Sequence, residues 1–277
     1  MTKFKLCAFA DEADPAIAGQ IAALKENEIG LIELRGVEGR NVTELSADEM
    51  KTLRKRLEGE GIRVWSIGSP IGKVEITADF APHLELFQHT LELANLAGAE
   101  KMRIFSFFMS PEDTPKYKNA VIDRLGQMTE LAKATGVVLC HENEKDIYDD
   151  IPARCVEIHK AIPDLRAVYD PPNFIQCGAD TLKAWDLLAP YIDYMHMKDA
   201  DSDRVVVPAG KGIANMPQLL ENYEMLGGGV ITLEPHLFDF VGLAGLEREG
   251  SATKIGGTYR TKREAFDSGV AALKALL

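Results

Sequence analysis

Four polar residues in the second half of the chain stand where apolar runs end. They are Glu142, Asp170, His196 and Glu234. Each apolar run is typical of a buried strand, and folded interiors do not readily accept unpaired carboxylates. Three carboxylates brought to one place would repel one another unless a cation lay among them. One nitrogen and several carboxylate oxygens form a ligand set for one divalent metal ion, with Mn²⁺, Mg²⁺ or Co²⁺ favoured and Zn²⁺ a further candidate.

Each of these residues taken singly has an ordinary structural explanation. Asp170 precedes two prolines and could cap a turn, and His196 could be a core histidine with satisfied hydrogen bonds. The two glutamates could form ion pairs with Lys198 or Arg103. Because that explanation needs a separate buried partner for every charge, the four residues together favour the metal site.

Eight short apolar or β-branched runs alternate with helical patterns along the chain. They are residues 4–9, 30–34, 63–67, 101–105, 137–140, 166–169, 191–195 and 230–233. Eight strand-then-helix units without a linker or low-complexity break predict one α/β domain, a (β/α)₈ TIM barrel spanning residues 1–277. A doubly wound open sheet is the structural alternative. In the barrel the carboxyl ends of all strands meet at one face, which would bring the four residues together.

Helix boundaries between these runs carry recognisable signals. Ser46 with Glu49 and Thr261 with Glu264 predict reciprocal N-terminal caps. Four glycines stand where a helix should end before a strand, as C-terminal caps do. They are Gly30, Gly61, Gly98 and Gly136. The sequence contains no Gly-x-Gly-x-x-Gly after the first strand and no Walker motif, so a nucleotide cofactor has no support.

The composition narrows the class of partner. A chain of 277 residues with 46% hydrophobic content can bury a large core, and its formal charge of -12 argues against nucleic-acid binding. The N-terminal stretch lacks the apolar core of a signal peptide and no segment reaches transmembrane length, which predicts a cytoplasmic protein with no membrane partner. Four isolated cysteines predict reduced thiols. They are Cys7, Cys140, Cys155 and Cys177.

At the strand ends the sequence resembles the xylose-isomerase-like TIM barrels, which include ketose 3-epimerases, hydroxypyruvate isomerases, inosose dehydratases and, more distantly, apurinic endonucleases. The most specific motifs are LCHENE at 139–144, YDPPN at 169–173, MHMKD at 195–199 and LEPH at 233–236. By position, the resemblance implies that Glu142, Asp170, His196 and Glu234 bind one divalent ion. The N-terminal half is similar to less characterised sugar isomerase/epimerase-like members, at 32–36, 69–73 and 103–106.

The chain also departs from the pattern of its better-known relatives. Ketose epimerases commonly carry a histidine where this chain has Asn173, and their Glu and Arg contacts to ketose hydroxyls fall here at Tyr148 and Ser202. An apurinic endonuclease needs three zinc ions held by many histidines, whereas this chain has six, of which three lie in helical patterns. They are His83, His89 and His159. These departures weaken the case for a standard ketose 3-epimerase and argue against an apurinic endonuclease.

An octahedral ion at this site would leave room for two adjacent substrate oxygens, such as those of an α-hydroxy ketone or aldehyde. Glu142 and Glu234 would then handle the proton that is removed to give an enediolate. The sequence therefore predicts a divalent-metal-dependent isomerase or epimerase of a small carbohydrate. The alternatives are a metal-dependent dehydratase of a keto-cyclitol or related sugar and a non-catalytic metal- and sugar-binding barrel.

Further polar residues at the strand ends are candidates for contact with the carbohydrate or cyclitol. They are Lys73, Arg103, Asn173, Lys198 and His236. The lysines and the arginine could instead balance the carboxylates. Glu33 and Arg35 are expected to pair with each other at the rim, and Trp65 and Trp185 to pack in the core. The expected partner is a small-molecule carbohydrate or cyclitol, and the sequence is compatible with a homo-oligomer.

Overall fold

The computed structural model describes residues 4–248 and 250–277, which fold into a closed barrel of eight parallel strands. Labelled β1 to β8 in chain order, the strands are Lys5–Ala8, Leu31–Leu34, Arg63–Gly68, Lys101–Ile104, Val138–Glu142, Arg166–Tyr169, Ile192–Met197 and Val230–Leu233. Each strand pairs with the next one along the chain, and β8 closes the ring against β1. All eight predicted strands are confirmed, and the closed ring excludes the open doubly wound sheet.

Helices connect the strands on the outside of the barrel. Labelled α1 to α9, they are Ile17–Glu26, Ala47–Gly59, Phe80–Ala97, Thr114–Lys133, Pro152–Ala161, Pro171–Gln176, Thr181–Leu188, Met216–Met225 and Lys262–Lys274. Short 3₁₀ turns lie at Ala10–Glu12, Val42–Glu44, Pro111–Asp113 and Leu243–Leu246. Two small hairpins pair Gly36–Val37 with Arg40–Asn41 and Asp199–Ala200 with Val206–Val207.

The predicted N-terminal caps form, one of them only in part. The Ser46 hydroxyl accepts a hydrogen bond from the Glu49 N–H at 3.3 Å, and the Glu49 carboxylate accepts one from the Ser46 N–H at 2.7 Å. At α9 the Thr261 hydroxyl accepts from the Glu264 N–H at 3.1 Å, but the Glu264 carboxylate accepts from the Arg260 N–H rather than from Thr261. The second cap is therefore one-sided.

Three of the four glycines expected at helix ends have the positive φ of a C-terminal cap. They are Gly61, Gly98 and Gly136. The expectation for Gly30 is wrong, because α1 already ends at Glu26 and the left-handed residue is Glu28, with a φ of 55°. Gly30 instead stands immediately before β2.

The core has two layers, one inside the barrel and one between strands and helices. One residue from each of six strands contributes to a separate apolar cluster, which we assign to the barrel interior. Its members are Cys7, Leu31, Trp65, Cys140, Val168 and Tyr194. Trp65 packs edge-on against Tyr194 with ring centroids 4.7 Å apart, and Trp185 is buried in the outer layer, so both tryptophans pack as expected. The four cysteines are free thiols.

Within residues 4–248 and 250–277, no helix is both long enough and apolar enough to cross a bilayer. Residues 1–3, part of the N-terminal stretch used to argue against a signal peptide, lie outside the described residues.

Candidate active site

The barrel brings the four predicted metal ligands to one place at its carboxyl face. Glu142 ends β5, Asp170 directly follows β6, His196 lies in β7 and Glu234 directly follows β8. One ligand atom of each lies within 4.8 Å of the others, and all four side chains are buried. Successive parallel strands thus place their last residues at the same height, as the spacing in the sequence indicated.

Local hydrogen bonds fix the orientation of Asp170. Its carboxylate accepts from the Asn173 N–H at 3.0 Å and so caps α6, whose first residue is a proline. The Asn143 side chain binds both the N–H and the C=O of Asp170, at 2.9 and 2.8 Å. Asp170 is therefore a cap residue, as its simplest explanation required, and a member of the cluster as well.

His196 lies at the centre of the cluster and contacts carboxylates through both ring nitrogens. Its Nδ1 lies 2.8 Å from Glu142 Oε1 and 3.4 Å from Glu234 Oε2. Its Nε2 lies 3.3 Å from Glu33 Oε2. Glu33 is buried inside the barrel, where it also accepts a hydrogen bond from the Tyr194 hydroxyl at 2.7 Å.

Three buried cations form ion pairs with the carboxylates of this cluster. Arg103 Nη1 donates to Glu142 Oε2 at 2.6 Å, and Lys198 Nζ binds both Glu234, at 2.5 Å, and Asp170. Glu142 and Glu234 thus form the ion pairs with Arg103 and Lys198 that a purely structural role for the two glutamates would require. The third cation is Arg35, whose Nη1 lies 3.2 Å from Glu234 Oε1.

The expectation that Arg35 pairs with Glu33 is wrong. Residues two apart in a strand point to the same side, but Glu33 lies within β2 and binds Tyr194 and His196 inside the barrel. Arg35 follows the end of β2 and binds residues of the turn after β1. Those partners are Asp11, at 2.8 Å, and Glu12, at 3.0 Å. Neither acid is among the residues predicted from the sequence, although both follow an apolar run, as the four predicted ligands do.

The cluster carries more negative than positive charge. Among the residues that the structure describes, it joins six buried carboxylates to three buried cations. The acids are Asp11, Glu12, Glu33, Glu142, Asp170 and Glu234, and the cations are Arg35, Arg103 and Lys198. With a neutral histidine, this leaves an excess of three negative charges in a buried site, which protons or another cation must offset.

The pKa values show where protons would be held. Burial raises the pKa of Glu12 to about 8 and that of Asp170 to about 7, despite the nearby Arg35 and Lys198. Burial alone would lower the pKa of His196, but the surrounding carboxylates, Glu142 first, raise it well above its usual value. Three groups thus retain protons to higher pH than usual.

Four members of the cluster, Arg103, Glu142, Lys198 and Glu234, line a small cavity. The cavity is lined by Arg103, Phe105, Glu142, Glu144, Asn173, Gln176, Lys198, Glu234, His236, Leu243, Leu246, Glu247 and Thr253. Four of the five predicted substrate contacts are in this wall, whereas Lys73 lies behind it, with Nζ 3.0 Å from Glu144 Oε2 and 4.2 Å from the centre of the Phe105 ring. Leu243, Leu246, Glu247 and Thr253 were not predicted as part of the cavity, because they lie in an irregular segment that carries no periodic pattern.

The family of the chain follows from comparison with known proteins. A family model described as "Xylose isomerase-like TIM barrel" matches residues 21–253. The chain belongs to this family. No functionally curated protein matches it by sequence. The resemblance stated from the strand-end motifs is thereby confirmed.

Solved structures with the same fold carry different activities in their names. The probable 3-DHS dehydratase AsbF from Bacillus anthracis is 16% identical, with 99% of each chain covered and a TM-score of 0.74. The 3-keto-D-glucoside 4-epimerase YcjR from E. coli is 15% identical, with 99% of each chain covered and a TM-score of 0.71. The IolI protein with a bound zinc atom is 15% identical over 99% of this chain and 98% of its own, with a TM-score of 0.75. At these identities the likeness establishes the fold alone.

The donor set fits a divalent ion. Ligands on opposite sides of an ion bound at 2.0–2.6 Å are about 4 to 5 Å apart, and the four ligand atoms all lie within 4.8 Å of one another. The set combines one imidazole nitrogen with carboxylate oxygens, and the excess negative charge of the cluster would be largely offset by two positive charges. Glu142, Asp170, His196 and Glu234 are the residues that would hold the ion.

Removing the histidine ligand should remove the metal. We expect His196→Ala to lose most of its bound divalent ion, because three carboxylates without the nitrogen form a weaker and less defined site. Lys73→Ala should keep the ion, since Lys73 pairs with Glu144 outside the ligand set. Elemental analysis of both purified variants checks this. Equal metal content in wild type and His196→Ala would refute the assignment.

The metal-free protein should become less stable as the pH rises from about 5.5 to 8. Glu12 and Asp170 keep protons in the folded state up to pH values of about 8 and 7, but lose them near pH 4 when unfolded. Since the folded-state pKa values are raised, their stabilising contribution is lost with increasing pH. Added Mn²⁺ should reduce this loss, because the ion replaces the protons.

Calorimetric melting temperatures at both pH values, with Mn²⁺ and with a chelator, measure this effect. Glu142 and Glu234, whose pKa values are lowered, are ionised throughout this range and should not contribute to the slope. A pH-dependent loss of the same size with and without Mn²⁺ would contradict the interpretation.

Proposed function

We propose that the protein is a divalent-metal-dependent isomerase or epimerase of a small carbohydrate. The observation that carries the proposal is the excess of buried carboxylates over cations around His196, at the carboxyl face of the barrel. Such a cluster is costly to bury, so its retention at the position of TIM-barrel active sites favours a catalytic use. The zinc atom named with the IolI structure supports a divalent ion on this fold.

Glu142 and Glu234 are the proposed proton-handling pair. They come from β5 and β8, which are three strands apart in the ring, so they approach the cavity from different sides. One carboxylate removes the proton next to the substrate carbonyl, the electron pair forms the enediolate, and the other group, carrying a proton taken up from solvent, donates that proton to carbon. A bound divalent ion would supply polarisation of the substrate carbonyl. Return to the opposite face of the same carbon gives epimerisation, whereas transfer to the neighbouring carbon gives isomerisation.

The remaining polar residues in the cavity wall are proposed to orient the substrate. Arg103, Lys198, Asn173 and His236 line the cavity and can contact substrate oxygens. Lys73 would act through Glu144, which it binds at 3.0 Å. Each is held by neighbours before substrate arrives, which reduces the entropic cost of binding.

A dehydratase is the second candidate, and one feature of the site favours it. His236 lines the cavity with its Nε2 3.6 Å from Glu234 Oε1. An acid at this place could protonate a departing β-hydroxyl after the same first proton removal. The probable dehydratase among the similar structures is compatible with this alternative.

A panel of carbohydrates and cyclitols, assayed with Mn²⁺ in deuterated water, distinguishes the two reactions. An epimerase or isomerase incorporates deuterium without loss of mass from water elimination, whereas a dehydratase gives a product about 18 mass units lighter, the mass of water. Ligands that bind without either change would indicate a non-catalytic binding barrel and refute the proposal.

Glutamine at either proposed base should separate chemistry from binding. Glu142→Gln and Glu234→Gln keep the side-chain size and one oxygen ligand, but the amide cannot accept the substrate proton. We expect solvent deuterium exchange to slow by about 10²- to 10⁴-fold, the usual loss on removal of a general base. The variants should remain folded, because one charge fewer also relieves repulsion within the cluster.

Glu100→Gln is the matched control for this experiment. Glu100 pairs with Arg63 on the outside of the barrel and is not part of the cavity wall. It should exchange deuterium at close to the wild-type rate. Near-normal exchange in a Glu142→Gln or Glu234→Gln variant with full metal occupancy would place the base elsewhere, with Lys198 and His236 the next residues to test.

A further inference from the structure

We propose that Arg35 is a positioning residue that holds Glu234 and His236 in place at the cavity. For Glu234 the inference rests on the proposed function, in which this residue is both ligand and base. Arg35 was expected to form a structural pair at the rim, but its guanidinium lies beside the candidate site, 3.2 Å from Glu234 Oε1.

The Arg35 guanidinium binds three carboxylates from two segments of the chain, the turn after β1 and the end of β8. Its Nε and Nη2 form a fork on Asp11, at 2.8 and 3.0 Å. Nη2 also donates to Glu12 Oε1 at 3.0 Å, and Nη1 donates to Glu234 Oε1 at 3.2 Å. A planar guanidinium has donors in fixed directions, so these bonds determine where the three carboxylates lie relative to one another.

Aromatic rings and a close backbone contact hold the guanidinium itself. Its central carbon lies 4.4 Å from the centre of the Phe9 ring and 3.9 Å from that of Phe240. At the next residue, Gly36, a Cβ atom would lie 2.8 Å from Asp11 Oδ2, so the absence of a side chain permits the approach of Asp11. The plane of Arg35 is therefore fixed before any ligand binds.

For Glu234 the consequence is that its two oxygens have separate roles. Arg35 holds Oε1, while Oε2 faces Lys198 Nζ at 2.5 Å and His196 Nδ1 at 3.4 Å. Rotation of the carboxylate plane away from this orientation would break the contact with Arg35. Arg35 thus keeps Oε2 turned toward the proposed metal ligands.

For His236 the effect passes through Glu12. Arg35 binds Glu12 Oε1, and Glu12 Oε2 accepts the His236 N–H at 2.6 Å. His236 has a φ of 47°, a left-handed conformation that non-glycine residues rarely adopt without support. Its ring is stacked on Phe240, with centroids 5.2 Å apart. Losing Arg35 should release this conformation.

A positioning role needs the shape of the guanidinium as well as its positive charge, whereas charge balance needs only the charge. Lysine would supply the same charge, but its single ammonium lacks the fixed fork that spans Asp11, Glu12 and Glu234. In Arg35→Ala, free guanidinium at tens of millimolar could enter the vacated space between the two rings. Urea has nearly the same shape but no charge and serves as the matched additive.

The experiment has two readouts that do not depend on turnover. The first is amide hydrogen exchange of the peptide containing His236, measured on the metal-free protein. The second is Mn²⁺ affinity. We expect faster exchange and an affinity about 10- to 100-fold lower in Arg35→Ala, the usual effect of losing a residue that orients a ligand. Guanidinium should partly restore both readouts and urea neither.

Two further variants complete the design. Arg35→Lys keeps the charge and should still show faster exchange and weaker Mn²⁺ binding, so it carries the test if Arg35→Ala does not fold. Arg63→Ala removes an exposed arginine that pairs with Glu100 on the outside of the barrel, and should change neither readout.

Wild-type exchange and Mn²⁺ affinity in Arg35→Lys would overturn the proposal, as would rescue of Arg35→Ala by urea as fully as by guanidinium. If the wild type binds no Mn²⁺ while the exchange results are as expected, the proposed function fails and the positioning of His236 by Arg35 stands. The two failures are therefore distinguishable.

Discussion

The buried charge imbalance around His196 is the constraint on which the rest of this site depends. Carboxylates from five of the eight strands or the turns that follow them meet at the barrel mouth, and three cations cannot neutralise them all. Every carboxylate therefore needs hydrogen bonds, a shared cation or a proton. In the metal-free protein, this buried excess of negative charge keeps protons on His196, Glu12 and Asp170, whose pKa values are raised.

Phe9 separates the two arginines that serve the proposed proton-handling pair. Its ring centre lies 4.4 Å from the Arg35 guanidinium and 5.4 Å from that of Arg103, and its edge-on contact with His196 has a centroid distance of 5.2 Å. Gly68 allows this arrangement, since a Cβ atom there would lie 2.3 Å from the ring. The aromatic ring keeps water from the charged groups and so strengthens the interactions among them.

The sequence was sufficient to predict the barrel because its signals are local and repeated. Each strand is a short apolar run, and each candidate ligand stands at the end of such a run. The sequence does not reveal which side chains contact one another across the carboxyl face of the barrel. The pairing of Arg35 with Asp11 joins two turns of different units, and the inward position of Glu33 depends on the register of β2. Neither leaves a pattern in linear spacing.

Both candidate reactions begin with the same removal of a proton, so the carboxylate framework alone does not choose between them. The choice depends on where the electron pair goes, and therefore on which acid faces the carbon next to the enediolate. His236 is the residue placed to affect this, because it follows Glu234 by two positions and is held by Glu12 rather than by the barrel strands. A change in this short segment could alter the outcome without disturbing the ligand set.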